Sequence, residues 1–152
     1  MKFIRTEIPE VVLCKPTILK DDRGYFFESF KKEVFEQFLR YSISFTQDNE
    51  AKSTKGVLRG LHYQLPPFSQ AKLVRVVKGK VLDIAVDIRK GSPTFGEYVA
   101  IELSEENKYQ LYVPKGFAHG YVVLSDEAIF CYKVDNYYHK ASERGIMYND
   151  IT

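Results

Sequence analysis

Three polar side chains suited to proton chemistry lie within fourteen residues of one another, in sequence that is otherwise typical of β-strands. They are Arg59, His62 and Lys72, carried by the stretches GVLRGLHYQL (56–65) and QAKLVR (70–75). Buried strands tolerate such groups poorly unless they are paired or used. An imidazole can remove a proton beside a carbonyl group, and a cation can stabilise the oxyanion that forms. The residues alone also allow solvated edge charges and a hydrogen-bonded structural histidine.

Two further candidates sit in later strand-like segments. His119 lies in PKGFAHGY (114–121) between small neighbours, where it either fills a polar gap or lines a site. Tyr132 alternates with Phe130 and Val134, so it should face the interior. There it is either a core tyrosine with its hydroxyl bonded or a proton donor opposite His62.

The segment 80–88 shows a clear two-residue alternation. One predicted face is aliphatic, whereas the other carries Asp83 and Asp87 between small apolar residues. Carboxylates on a strand of a closed sheet need partners. We expect these partners to be histidines and Arg or Lys residues of neighbouring strands.

Short strands recur along the chain, separated by Gly, Pro, Asn, Asp and Ser turns, and one segment has helical spacing. This pattern predicts an all-β sandwich or closed barrel with one minor helix, over residues 31–40. The predicted strands cover residues 11–13, 16–19, 25–30, 42–47, 57–64, 72–77, 80–88, 98–103, 110–113, 117–124 and 128–134.

Size and composition exclude several classes of protein. A chain of 152 residues with 45% apolar residues is long enough for one domain with a real core. A net charge of +2 without long basic blocks argues against nucleic-acid or membrane-surface binding. Cys14 and Cys131 are far apart and form no metal or redox motif, so a reducing cytoplasm is expected.

The sequence argues against a catalytic metal. A metal-binding β-barrel of the cupin type would need His-x-His followed by Glu, but here the segment is His62-Tyr63-Gln64. No glycine-rich phosphate loop is present, so a phosphate site would use scattered cations such as Arg23, Arg59 and Lys72.

Taken together, the motifs resemble the dTDP-4-dehydrorhamnose 3,5-epimerase family, whose members act on nucleotide-linked 4-keto sugars. The resemblance implies a cupin-type double-stranded β-helix, or jelly roll, that forms a homodimer and uses no metal or cofactor. The matching segments are residues 22–28, 46–49, 56–64, 70–77, 83–91, 92–96, 114–120 and 143–146.

The resemblance also implies roles for individual residues. His62 corresponds to the base that removes a proton next to the keto carbon, Lys72 to the cation that stabilises the enolate, and Tyr132 to the acid on the opposite face. Asp83 and His119 correspond to a second polar pair in the pocket. The positions that match nucleotide and diphosphate contacts are Arg23, Glu28, Gln47, Asn49, Arg59, Tyr138 and Glu143.

The sequence departs from the family pattern near its end. Family members continue with a Trp-Pro segment and a Leu-Ser-x-x-Asp whose Asp orients the catalytic histidine, whereas this sequence ends at Asn149-Asp-Ile-Thr152. The segment 137–139 also differs from the usual Tyr-x-Pro. We therefore expect a single cupin domain over residues 1–152 that lacks the C-terminal segment.

Several functional alternatives remain open from the sequence. One is an epimerase that inverts a single carbon, or acts on a GDP-linked 4-keto heptose. Another is a non-catalytic cupin that binds a nucleotide sugar. A homodimer is expected in each case, with the strands predicted at 11–13 and 25–30 as candidates for the contact.

Overall fold

The computed structural model describes residues 1–149, and its strands form two facing antiparallel sheets. Residues 150–152, which form most of the chain end discussed above, lie outside the described part. The elements in chain order are β1 (Lys2–Arg5), β2 (Val12–Lys15), β3 (Leu19–Asp21), β4 (Gly24–Phe26), α1 (Lys32–Leu39), β5 (Gln47–Thr54), β6 (Leu58–Gln64), β7 (Lys72–Lys78), β8 (Lys80–Asp87), β9 (Tyr98–Ser104), β10 (Gln110–Val113), β11 (Phe117–Val123), β12 (Glu127–Val134), a 3₁₀ turn (Lys140–Ser142) and β13 (Glu143–Gly145).

One sheet has six strands in the order β1-β2-β10-β7-β12-β5, and the other has five in the order β13-β6-β11-β8-β9. Strands β3 and β4 form a separate hairpin. The main core lies between the two large sheets and is built mostly from valine, leucine and aromatic side chains. The predicted all-β architecture with one short helix is confirmed.

Strand β8 shows how the alternating sequence becomes a buried face. Val81, Asp83, Ala85 and Asp87 are all buried, whereas the side chains between them are only partly covered. The face that carries the carboxylates therefore points into the core. Such a face is stable only if each carboxylate finds a partner.

Helix α1 covers the outer side of the six-stranded sheet. Its spacing brings Phe35 and Leu39 onto one face, where they are buried with Leu73, Tyr112 and Cys14 in a second apolar cluster. Burying an aromatic or leucine side chain contributes about 1.5–3 kcal/mol, so this face holds the helix in place. The predicted helix, 31–40, differs from the observed one by one residue at each end.

Some predicted strands are wrong. Residues 42–46 have no regular structure, and the strand of this region is β5, which starts at Gln47. Its inward positions carry Gln47, Asn49, Ala51 and Ser53, so it lacks the apolar alternation that marks a core strand. The strand predicted at 25–30 ends at Phe26, because the chain then turns back to pack Phe30 under the helix.

The N-terminal strands also differ from expectation. The strand predicted at 11–13 is β2, which lies between β1 and β10 and therefore has no free edge. The strand predicted at 16–19 is β3, shifted to Leu19–Asp21. Strands β1 and β13 were not predicted, since both are short and largely polar or exposed. From β6 onward the predicted bounds agree within about one residue, inside the usual scatter of strand ends.

Candidate active site

The strand β6 contains an irregularity at Gly60 that turns two key side chains the same way. Arg59 is paired with Tyr121 and His62 with His119, so three steps on β6 match two steps on β11. An extra residue of this kind is a β-bulge, and it places both side chains on the inner face. Gly60 has a φ of +106°, and a Cβ there would lie 2.6 Å from the carbonyl oxygen of His119.

His119 and Asp83 form a buried pair in the interior. The Nε2 atom of His119 lies 2.8 Å from Oδ1 and 3.0 Å from Oδ2 of Asp83, whose side chain is fully buried. Burial raises the pKa of Asp83, and His119 and Lys72 oppose that rise. The carboxylate thus has a histidine partner on the neighbouring strand, as the sequence predicted.

Asp87, the second carboxylate of β8, has a different set of partners. Arg89 donates from Nη2 to Oδ2 at 2.8 Å, and the hydroxyl groups of Ser92 and Thr94 each donate to the same oxygen at 2.6 Å. Arg89 above all, together with these hydroxyls, holds the pKa of Asp87 well below its usual range. This cluster ties the loop after β8 to the end of the barrel.

Lys72 begins β7 and brings an ammonium group to the same interior. Its Nζ lies 5.7 Å from the ring centre of Tyr132. Burial lowers the pKa of Lys72, whereas the carboxylates of Asp83 and Glu143 raise it. Lys72 also borders a cavity of about 600 Å³ at this end of the barrel, together with Gln64 and Phe117.

Tyr132 connects the interior to the edge strand of the six-stranded sheet. It lies opposite Asn49 of β5 on one side and Val74 of β7 on the other. The side-chain oxygen Oδ1 of Asn49 accepts a hydrogen bond from Nε2 of Gln47 at 2.8 Å. Two residues that match nucleotide contacts therefore lie beside the predicted proton donor.

His62 and Glu143 meet at the opposite wall of the site. Nδ1 of His62, whose side chain is 51% exposed, lies 4.0 Å from Oε1 of Glu143. The hydroxyl of Tyr138 donates to Oε2 of the same carboxylate at 2.6 Å. Glu143 is placed by β13, which pairs with β6 and sets Gly145 opposite His62.

Two predicted site residues lie elsewhere. Arg23 is at the turn of the β3–β4 hairpin, highly exposed, and its guanidinium pairs with Asp21 of the same turn. Glu28 is exposed in the segment between β4 and the helix, beside a small cavity on the outer side of the six-stranded sheet. The remaining predicted site residues surround the interior described above.

Two polar residues of the interior were not predicted. Ser53 accepts a hydrogen bond from Nε of Arg59 at 2.7 Å. Tyr121 stacks on Phe130 with ring centres 4.0 Å apart, and its buried hydroxyl has no partner within residues 1–149. A correct assignment of β5 would have revealed Ser53, and Tyr121 follows from its two-residue spacing after His119.

The arrangement gathers an imidazole, an ammonium group and a phenol around one interior, with Arg59 at its edge. Within the described chain, no carboxylate lies within 4 Å of the Arg59 guanidinium. Its positive charge is therefore available to an anionic ligand. Residues 1–149 contain no cluster of three potential metal-ligating side chains and no helix long and apolar enough to cross a membrane.

Comparisons with known proteins all find members of one family of epimerases. The family profile described as dTDP-4-dehydrorhamnose 3,5-epimerase matches residues 5–152. The dTDP-4-dehydrorhamnose 3,5-epimerase of Shigella flexneri is 59% identical over 150 residues, which cover 99% of this chain and 83% of that protein.

Solved structures show the same fold. The dTDP-6-deoxy-D-glucose-3,5-epimerase of Legionella pneumophila, in complex with dTDP-4-keto-L-rhamnose, is 52% identical with a TM-score of 0.95, over 98% of this chain and 79% of that chain. A 3′-monoepimerase from Streptomyces bikiniensis in complex with dTDP-quinovose is more distant, at 34% identity and a TM-score of 0.87, over 93% and 71% of the two chains. The two-sheet barrel is thus the expected cupin jelly roll, and the chain belongs to the dTDP-4-dehydrorhamnose 3,5-epimerase family.

Proposed function

We propose that this protein is an isomerase that converts dTDP-4-dehydro-6-deoxy-D-glucose into dTDP-4-dehydro-L-rhamnose by inverting C3 and C5. The observation that carries the proposal is the convergence of His62, Lys72 and Tyr132 on one interior, in a chain that belongs to this epimerase family. These three side chains are a base, a cation and an acid. They are the groups that an epimerisation next to a ketone needs.

The reaction follows from the chemistry of these groups. His62 removes the proton from a carbon beside the C4 ketone, and the electron pair of that C–H bond moves to the C4 oxygen. Lys72 stabilises the resulting enolate with its positive charge. Tyr132 then delivers a proton to the opposite face of the carbon, which inverts it. His62 loses its proton to solvent and Tyr132 regains one, so the cycle can repeat at the second carbon without an oxidant.

The His119–Asp83 pair supports this chemistry through its effect on Lys72. Asp83 is one of the two carboxylates that raise the pKa of Lys72 against the effect of burial. Because an uncharged amine would not stabilise an enolate, Asp83 helps Lys72 to keep its proton at working pH. His119 in turn gives the buried carboxylate a hydrogen-bonding partner.

The nucleotide would lie along β5 and the loop before β13. Gln47 and Asn49 present amides there, and Tyr138 presents an aromatic ring that is half exposed and can stack on a base. Arg59, which has no carboxylate partner within residues 1–149, supplies a cation for the diphosphate. Glu143 connects this region to His62.

We infer that the protein works as a homodimer. The β3–β4 hairpin exposes Leu19, Tyr25 and Phe26, each by more than half of its surface, and a lone hairpin of this kind is barely stable in water. A second copy covering it would also explain the position of Arg23, because this cation could then reach the site of the neighbouring copy. The apolar outer face of β8 offers further contact area. Sedimentation velocity at micromolar concentration should give the mass of two chains, and a monomer would contradict the inference.

The reaction and the cysteines both suit the cytoplasm. Cys14 and Cys131 are free thiols, and Cys14 is buried with its pKa raised to about 12, which makes it unreactive. We therefore infer that the protein acts in this reducing compartment. To test this assignment, a fluorescent protein can be fused to the C-terminus of the protein. Its distribution in the cell would then be compared with those of a secreted and a cytoplasmic control protein.

No observation favours the alternative functions over the double epimerase. All three can be separated by incubating the protein in D₂O with dTDP-4-dehydro-6-deoxy-D-glucose and following the sugar by NMR. Deuterium at both C3 and C5 is the expected result. Deuterium at one carbon would identify a single-carbon epimerase, and binding of dTDP without any exchange would identify a non-catalytic binding protein.

A further inference from the structure

We propose that Ser53 is a positioning residue that holds the guanidinium of Arg59 in the orientation needed to receive the substrate diphosphate. This inference rests on the proposed function, in which Arg59 binds that group. It adds a residue that lies outside the predicted site and does not itself need to touch the substrate.

The contact joins the two sheets of the barrel. Ser53 belongs to β5, the outermost strand of the six-stranded sheet, whereas Arg59 belongs to β6 of the other sheet. The Oγ atom of Ser53 accepts from Nε of Arg59 at 2.7 Å, and the Lys52 carbonyl accepts a long bond of 3.4 Å from Nη2. An arginine side chain has several rotatable bonds, so fixing Nε removes most of its freedom.

Within residues 1–149, the binding end of the guanidinium makes only the long bond from Nη2 to the Lys52 carbonyl. The short bond uses Nε, the nitrogen that is bonded to the side-chain stem. The two terminal nitrogens form the outer edge of the planar guanidinium. That edge matches two oxygens of a phosphate in a bidentate arrangement. A hydroxyl can hold Nε without neutralising the cation, which a carboxylate in the same place would do.

Ser53 itself is well placed to act through Arg59 alone. It is only 7% exposed, and it faces the interior at the level of Ala128 rather than the open edge. Tyr121 lies opposite Arg59 on β11, and Ser53 and Arg59 both counter the effect of burial on the pKa of its hydroxyl. The serine is thus enclosed by Arg59, β12 and Tyr121.

The affinity for dTDP, measured by calorimetry, tests the proposal. Ser53→Ala should weaken dTDP binding and raise KM about three- to ten-fold, the value of one hydrogen bond, with kcat almost unchanged. Thymidine, which lacks the diphosphate, should bind both proteins equally. Ser53→Thr keeps the hydroxyl and should restore most of the affinity, and Thr54→Ala, on the exposed face of the same strand, is the matched control.

A double-mutant cycle separates positioning from direct contact. If Ser53 acts only through Arg59, Ser53→Ala should cause no further loss of dTDP affinity in an Arg59→Ala background. The same loss in both backgrounds would overturn the proposal, and so would unchanged affinity in the single variant. Failure of the wild-type protein to bind dTDP would instead overturn the proposed function and this inference together.

Discussion

Arg59 and His62 are three residues apart on β6, yet both project to the inner face, opposite Tyr121 and His119 of β11. In a regular strand this spacing would send them to opposite faces. The extra residue at Gly60 therefore places the proposed diphosphate-binding cation and the proposed catalytic base on the same wall. The site depends on a backbone shape that glycine alone adopts without strain.

Replacing Gly60 with alanine should damage both stability and activity. A Cβ at this position would meet the His119 carbonyl and the Cα of Gly120, both of which belong to backbone. We expect a loss of about 1–3 kcal/mol in the free energy of unfolding, together with a larger fall in activity than in dTDP affinity. Gly91→Ala is the matched control, since Gly91 also has a positive φ but has open space around it. Equal effects at the two glycines, in urea unfolding and in turnover, would contradict this view.

His62→Asn should abolish deuterium exchange at the carbons beside the ketone, because no group remains to take the proton. Tyr132→Phe should leave part of the exchange while blocking inversion, since only the donor on the far face is lost. Each rate should fall by roughly 10²–10⁴ if these are general acid–base groups. His139→Asn serves as the control, because His139 stacks on Phe68 outside the interior. Exchange by His62→Asn at the wild-type rate would mean that another residue is the base.

Asp83→Asn should narrow the pH range of activity on the alkaline side. Activity that needs the Lys72 ammonium falls as pH rises through its pKa, which burial already lowers and which Asp83 and Glu143 raise. Removing the negative charge of Asp83 lowers that pKa further, so the alkaline limb of kcat/KM should move to lower pH. Asp126→Asn, at an exposed turn, should leave the limb in place. A limb that stays fixed or moves upward in Asp83→Asn would exclude Lys72 as its origin, provided that circular dichroism shows an unchanged fold.

Asp87→Asn should make the protein less stable at neutral pH but less sensitive to acid. Arg89 holds the pKa of Asp87 well below its ordinary value, so the stabilisation is complete above the unfolded-state pKa near 4 and is lost as pH falls through the folded-state pKa. Breaking this buried pair should cost about 3 kcal/mol at pH 7. Urea unfolding at pH 7 and pH 3 should show the difference from wild type shrinking in acid. A constant difference at both pH values, or a similar effect of Asp48→Asn at an exposed position, would refute the assignment.

The contrast between β8 and β5 shows what could be predicted from the sequence. In β8, aliphatic residues alternate with Asp83 and Asp87, so the strand, its buried carboxylates and their partner types were all accessible to pattern analysis. In β5, three of the four inward side chains are polar, namely Gln47, Asn49 and Ser53, as expected for a strand that lines a proposed ligand site rather than a core. A polar interior removes the signal on which strand prediction depends.

Contacts between distant segments were equally hard to foresee. Ser53 and Arg59 meet only because a tight turn at 55–57 folds β5 back toward β6. Arg23 and Glu28 matched nucleotide contacts in sequence, yet they lie on the exposed N-terminal segments of their own chain. A local pattern can suggest a role for a residue, but its place in the assembled site follows from the tertiary and quaternary structure.

The position of β5 separates the proposed nucleotide contacts from the proposed proton-transfer groups. Gln47 and Asn49 lie on an outermost strand that has β12 as its one neighbour among the described strands, whereas His62, Lys72 and Tyr132 lie on strands with neighbours on both sides. A change on β5 disturbs a single interface, but a change on the inner strands disturbs two. Substitutions at the proposed nucleotide contacts on β5 should therefore disturb the fold less than substitutions at the proposed proton-transfer groups on the inner strands. Substitutions intended to change the nucleotide preference without loss of epimerisation should therefore be made first on β5.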